Sequence, residues 1–186
     1  MVLEPHEVSV KIVLIRHAAA VPRGTPGVLD AERPLTSSSK VKFRSVARGL
    51  TRIMPRPTAL LTSPLPRAQE TAEIAAHAFT NIEPVIERAL GDESVDDILT
   101  ALKAHPLDST VALVGHEPVL GALLARTLGS GQADGLAFKK GGVALVDLPE
   151  GPAIPGRLIW FLDPRVLRAL ANRRGIASGN RKGPSS

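Results

Sequence analysis

Hydrophobic positions along the 186-residue chain fall into short apolar runs, separated by longer segments whose apolar residues recur at helical spacing. That alternation predicts a mostly parallel sheet with helices packed on its faces. The run Val10–Ile15 predicts a first, buried strand. A Gly- and Pro-rich loop follows from Ala18 to Pro34. Thr36 or Ser37 caps a helix reaching about Ile53, with Val41, Val46, Leu50 and Ile53 near one face, and Pro55 and Pro57 end it. Ala59–Thr62 predicts a second strand. Pro64 and Pro66 set up a helix from about Arg67 to Phe79, since proline is tolerated in a first turn. Pro84–Ile86 is a short third strand, and Ser94 with Asp97 has the form of a capping box opening a helix to about Ala104. Thr110–Val114 is a fourth strand, and Pro118 opens a helix through about Leu128. Val143–Leu148 and Leu158–Leu162 read as later strands forming a hairpin, and Pro164–Asn172 as a closing helix. No internal repeat is visible.

Composition narrows the class. Hydrophobic residues make up 44%, which suits a globular domain and argues against wholesale disorder. Four Phe, one Trp and no Tyr leave the core to Leu, Val, Ile and Ala, and give poor support for an aromatic platform that stacks single-stranded nucleic acid. Cysteine is absent, so disulfides, thiolate zinc sites and cysteine nucleophiles are excluded. No apolar segment approaches the roughly 18 residues of a membrane span, and no signal peptide is visible. The expected location is cytoplasmic, without membrane partners.

The net charge of +5 is unevenly placed. From Pro164 onward there are six basic and no acidic residues; the other 163 residues hold 17 basic and 18 acidic groups, a net of −1. The expected organisation is a leader over residues 1–9, one domain over 10–172, and a basic Gly/Ser/Arg tail over 173–186 that is disordered. Any nucleic-acid contact is expected to be weak and to run through that tail.

Candidate chemistry gathers at three strand exits. Arg16-His17 ends the first strand, Ser63-Pro64-Leu65-Pro66-Arg67 follows the second, and Gly115-His116-Glu117-Pro118 follows the fourth. Ligands of open α/β sheets bind outside the carboxyl ends of the strands. Two imidazoles and two guanidiniums collected there describe a pocket for a phosphoryl group. A neutral imidazole is a competent nucleophile toward phosphorus. It presents one ring nitrogen while the other donates to a fixed acceptor, for which a backbone carbonyl after His17 would serve. Guanidinium geometry matches two phosphate oxygens at once. Arg67 sits in a first helical turn, where free N–H groups also favour an anion.

Four motifs carry a family resemblance: Leu14-Ile15-Arg16-His17-Ala18, Arg33-Pro34-Leu35-Thr36, the stretch Leu61 to Ala72, and Val114-Gly115-His116-Glu117-Pro118. With Gly156-Arg157-Leu158-Ile159-Trp160, they make the chain resemble the histidine phosphatase superfamily. Within it, the chain is similar to the small SixA-type phosphohistidine phosphatases. The resemblance implies a phosphoglycerate-mutase-like α/β fold: three layers, a mostly parallel sheet and helices on both faces. It implies His17 as a nucleophile forming a covalent phosphohistidine, and Arg16, Arg67 and His116 as the phosphate pocket. No metal and no cofactor are expected. The implied substrate is a phosphorylated protein carrying phosphohistidine, with a small phosphate ester as the alternative. A phosphate-binding module without turnover is a third class, disfavoured because a binder has no use for a nucleophile.

Two departures from the wider family bear on substrate. Ala18 replaces the usual glycine, which SixA-type relatives tolerate. The larger members place a glutamate in an insertion after the third strand, where this chain has only Gly91-Asp92-Glu93-Ser94. Asp92 or Glu93 serves there as an acid near the substrate, or merely favours the following helix N-terminus. Glu117 is a further candidate beside the substrate. Arg33 reaches the phosphate or a substrate carboxylate, or pairs with Glu32 or Asp30. His6, His77 and His105 are read as structural.

Overall fold

The computed structural model of the protein describes residues 9–92, 94–133, 135–152 and 155–172. The expected tail, residues 173–186, and the leader through residue 8 lie outside them, as does Glu93. Six strands form one sheet: β1 Val10–Arg16, β2 Ala59–Thr62, β3 Pro84–Ile86, β4 Thr110–Gly115, β5 Val143–Leu148 and β6 Arg157–Leu162. Their spatial order is β3-β2-β4-β1-β5-β6. The pairs β1–β4, β4–β2 and β2–β3 are parallel; β5 runs antiparallel to both β1 and β6. The expected late hairpin is therefore present, and the sheet is parallel except at β5.

Strand alternation sends side chains to two cores. Val13 and Ile15 of β1 face one side with Ala112, Val114, Leu60 and Val143. Ile12 and Leu14 face the other with Val111, Leu113, Leu61 and Ala144. Helices α1 Ser37–Leu50, α2 Pro66–Ala78 and α6 Pro164–Asn172 cover the first face, through Phe43, Val46, Leu50, Ala72, Ala75 and Leu167. The short α3 Ala89–Asp92 with α4 Val95–Leu102 and α5 Val119–Thr127 covers the second, through Leu90, Ile98, Leu102, Leu120 and Leu124. This is the three-layer α/β arrangement with helices on both faces. Among the described residues no helix is long and apolar enough to cross a membrane.

Caps set the helix starts. Thr36 accepts from the Ser39 N–H at 3.2 Å ahead of α1, and Ser94 from the Asp97 N–H at 3.3 Å ahead of α4. Pro66 opens α2, where its missing N–H costs nothing. The buried face of α1 is Ser39, Phe43, Val46, Ala47 and Leu50. Val41 is 61% exposed and Ile53 lies beyond the helix, which corrects the stripe expected from sequence. The aromatic ring of Phe43 takes the inward position, and Val41 lies off that face. The loop from Ala18 to Pro34 contains a 3₁₀ turn at Asp30–Glu32 and is closed by a bridge between Ala20 and Leu35.

Two helices of the first face approach unusually closely. A Cβ placed on Gly49 of α1 would collide with the Leu167 carbonyl oxygen of α6. Helix propensity alone favours alanine by about 1 kcal/mol, so the sign of the effect isolates the packing. We expect Gly49→Ala to lower stability by about 2 kcal/mol, in the range of an overpacked core, read as a lower urea midpoint at unchanged slope. A raised midpoint would contradict the close α1–α6 contact.

Candidate active site

Sheet register builds the site. Arg16 pairs with Gly115 across β1 and β4, and Thr62 with Val114 across β2 and β4. The pairing continues one step past the strands: His17 N–H donates to the Gly115 carbonyl at 3.0 Å, and Ser63 N–H to that of Val114 at 3.0 Å. His17, His116 and Ser63 thus leave the sheet side by side. The two imidazole rings lie 5.0 Å apart between centroids, tilted by 55°.

His17 is buried, with 7% of its surface exposed. Its Nδ1 lies 2.7 Å from the Ala18 carbonyl oxygen. A carbonyl only accepts, so Nδ1 carries the proton and Nε2 is left with its lone pair. Burial is the main cause that pushes the His17 pKa down to about 4; the Ala18 hydrogen bond opposes it, and the charges of Arg67, Arg16 and Lys140 reinforce it. Burial likewise pushes His116 down to about 3, helped by His17, Arg67, Arg16 and Arg33. His116 Nε2 lies 2.8 Å from Ser63 Oγ, while its buried Nδ1 has no hydrogen-bond partner among the described residues.

Cations surround the pair. Arg16 donates through Nη1 to the Phe138 carbonyl, and its buried Nε has no hydrogen-bond partner among the described residues. Arg67, in the first turn of α2, is 6% exposed and donates through Nη1 to the Asp30 carbonyl at 3.0 Å. Arg33, 8% exposed, donates through Nε to Asp30 Oδ1 at 2.9 Å and through Nη1 to the Val21 carbonyl at 2.8 Å. The ion pair with Asp30 is therefore formed, and Arg33 still lines the same cavity as His17. Burial would raise the Asp30 carboxyl, but the Arg33 hydrogen bond and the charges of Arg33, Arg23 and Arg67 hold it below its ordinary value.

The cavity has a volume of about 340 Å³. Arg16, Arg33, Arg67, His17 and His116 all line it, as expected from sequence, and Arg23 and Lys140 join them. Glu117 is the one carboxylate among the lining residues named, and its Oε1 accepts from the Phe138 N–H at 2.9 Å. Asp92 ends α3, whose Gly91 packs beside Pro64 and Ser63 at the β2 exit. Five cations line the cavity against the carboxylate of Glu117 and that of Asp30, which pairs with Arg23 and Arg33, and the remaining excess of positive charge suits a dianion. A larger cleft of 610 Å³, between α4 and the end of α5, has Asp96, Thr100, Lys103 and Arg126 on its walls and no imidazole among the described residues.

The motif after β2 also fastens the loop that follows His17. Thr71 Oγ1 accepts from the Ala18 N–H at 3.1 Å and donates to the Arg67 carbonyl at 2.7 Å. Glu70 accepts from the Leu35 N–H at 2.6 Å and from Lys40 Nζ at 2.7 Å. Gly141, at φ +78°, donates to the carbonyls of Arg16 and His17. Ser63, Arg23 and Lys140 are the site residues that sequence reading missed. A signal existed for Lys140: β5 is antiparallel to β1, so the start of β5 and the residues just before it sit at the β1 exit.

A family model described as the histidine phosphatase superfamily (branch 1) matches residues 12–98. An uncharacterized protein of Picosynechococcus sp. is 34% identical over 138 residues, covering 72% of this chain and 82% of that protein. Among solved structures, the protein assigned as phosphohistidine phosphatase SixA from Agrobacterium tumefaciens superposes with a TM-score of 0.69 at 26% identity, covering 83% of this chain and 98% of that one. A mycobacterial glucosyl-3-phosphoglycerate phosphatase superposes with a TM-score of 0.63 at 15% identity, over 83% of this chain and 99% of that one, a likeness of fold alone.

Neutral, buried histidines make stability depend on pH. Both folded-state values lie below the 6.5 of an unperturbed histidine. Between pH 6.5 and about 4 the unfolded chain holds protons that the folded chain refuses, so stability falls as pH drops through that window. The depressed carboxyls Asp30, Asp147 and Asp163 act at lower pH, below 3.8. We expect His17→Gln and His116→Gln each to make the loss of stability between neutral pH and about pH 5 shallower, as measured by urea midpoints. Slopes identical to wild type would contradict the burial of neutral imidazoles.

Proposed function

The chain belongs to the histidine phosphatase superfamily and is a phosphatase of that kind; we propose that its substrate is protein phosphohistidine and that His17 is the nucleophile. His17 Nε2 attacks phosphorus in line with the scissile bond. A P–N bond to His17 forms as the substrate's P–N bond breaks, and the substrate histidine leaves as neutral imidazole. Water then attacks the phosphorus on His17, its proton passes to solvent or to the phosphate, and inorganic phosphate departs. Arg16 and Arg67 hold the phosphoryl oxygens, and His116 donates to the group in transfer. The burden of phosphoryl transfer is positioning and electrostatic stabilisation.

The observation that carries the reading is His17 Nε2, kept unprotonated by the Nδ1 bond to Ala18 and held among Arg16, Arg67 and Lys140. Substrate class rests on the supply of acid. A protonated phosphohistidine loses its imidazole without an added acid, whereas an alkyl ester needs its leaving oxygen protonated. Glu117, a carboxylate lining the cavity, is engaged with the Phe138 N–H. The SixA likeness in fold and sequence points the same way.

We expect kcat/KM to fall in the order phosphohistidine peptide, aryl phosphate, alkyl phosphate. His17→Ala should reduce turnover of all three by about a thousandfold or more. Asp92→Asn with Glu93→Gln should hurt the alkyl ester and spare phosphohistidine. If a sugar phosphate proves the best substrate and Glu93→Gln abolishes its turnover, the enzyme is a small-molecule phosphatase instead.

A further inference from the structure

A second depression adjoins the catalytic cavity. It has a volume of about 290 Å³ and lies between α1, α6 and the residues preceding β5. Its wall begins at Ala18 and Ala19, the residues immediately after His17, and Lys140 lines both depressions. Lys42 of α1, Lys139 and Lys140, and Arg165 and Arg168 of α6 bring five cations to it; among the described residues, Asp163 is the one acidic residue of the lining. Asp163 is engaged by Lys139 Nζ at 2.6 Å and by the Arg165 N–H at 2.8 Å. No ion pair with Lys42, Lys140, Arg165 or Arg168 is found among the described residues. Three separate elements thus place unneutralised charge on one path leading from the nucleophile.

We propose that this groove is a docking site for an acidic segment of the phosphoprotein substrate, lying beside its phosphohistidine. The inference rests on the phosphohistidine reading and extends it to what surrounds the phosphorylated residue. When a phosphohistidine fills the catalytic cavity, the chain bearing it leaves past Ala18, Ala19 and Lys140 into the groove. Clustered cations there attract Asp and Glu side chains and steer their approach. Nucleic acid fits less well: Phe43, the aromatic residue of the lining, is buried and offers no face for a base. The volume suits a few extended residues rather than a folded surface.

The test uses the whole protein and a triple variant, Lys42→Glu with Arg165→Glu and Arg168→Glu. None of these residues lines the catalytic cavity. Three substrates are compared: a phosphohistidine peptide flanked by Asp and Glu, the same peptide with neutral flanks, and p-nitrophenyl phosphate. The variant should lose about tenfold or more in kcat/KM on the acidic peptide, through KM, in keeping with several exposed ion pairs reversed. It should keep wild-type rates on p-nitrophenyl phosphate, which reports an intact fold. Added salt should erase the wild-type preference for the acidic peptide. Equal treatment of both peptides by the wild type, or an equal loss on all three substrates, would overturn the proposal. So would displacement of the acidic peptide by an oligonucleotide at lower concentration than by free acidic peptide. If neither phosphohistidine peptide is hydrolysed while p-nitrophenyl phosphate is, the substrate reading fails. Docking is then decided by binding of the unphosphorylated acidic peptide: loss in the variant upholds it, and equal binding overturns it.

Discussion

The parallel register of β1 on β4 is the constraint from which the rest of the site follows. Pairing Arg16 with Gly115 obliges His17 and His116 to leave the sheet together, one residue past a shared hydrogen-bonded edge. β2 adds Ser63 at the same level through its pairing with β4. Apolar residues on both faces of β1 and β4 lock this register, because a slip by one residue would send each side chain to the opposite core. The two imidazoles thereby come to lie 5.0 Å apart between ring centroids.

Electrostatics then decides the state of the pair. Two histidines buried beside Arg16 and Arg67 are held neutral, since a further positive charge there would be both desolvated and repelled. The Ala18 carbonyl determines which nitrogen of His17 keeps its proton, and Thr71 ties the Ala18 N–H to the first turn of α2. His17, the proposed nucleophile, and Arg67 are thereby held by one short hydrogen-bonded chain. An arriving dianion offsets the crowded positive charge, so the same arrangement that keeps the free site costly favours the phosphoryl group.

Much of this was legible in the residues. Runs such as Val10–Ile15 and Thr110–Val114 marked strands to within a residue, because strands buried on both faces read as continuous apolar stretches. The dipeptide Arg16-His17, Arg67 and His116 each followed such a run, so their convergence could be expected from topology. The residues around Arg33 allowed a contact with substrate or an ion pair; the pair with Asp30 is formed, and the side chain lines the cavity. Other features were hidden. Phe43 rather than Val41 turned inward because a helix stripe drawn on aliphatic residues alone passed over the aromatic ring. Lys140 and Arg23 come from segments without local periodicity, and only the reversed direction of β5 carries Lys140 to the site. The four-residue α3 is too short to leave a periodic signal.

The central claim is that His17 Nε2 takes up the phosphoryl group, and the position of phosphorus on a trapped intermediate tests it most directly. Enzyme mixed with an aryl phosphate, quenched in base and digested, should yield a residue-17 peptide whose phosphorus NMR signal and fragmentation place the phosphoryl group on Nε2. The Nδ1 position is committed to the Ala18 carbonyl at 2.7 Å and should carry none. Phosphorus on Nδ1 of His17, on His116, or on an oxygen of any side chain would contradict the account.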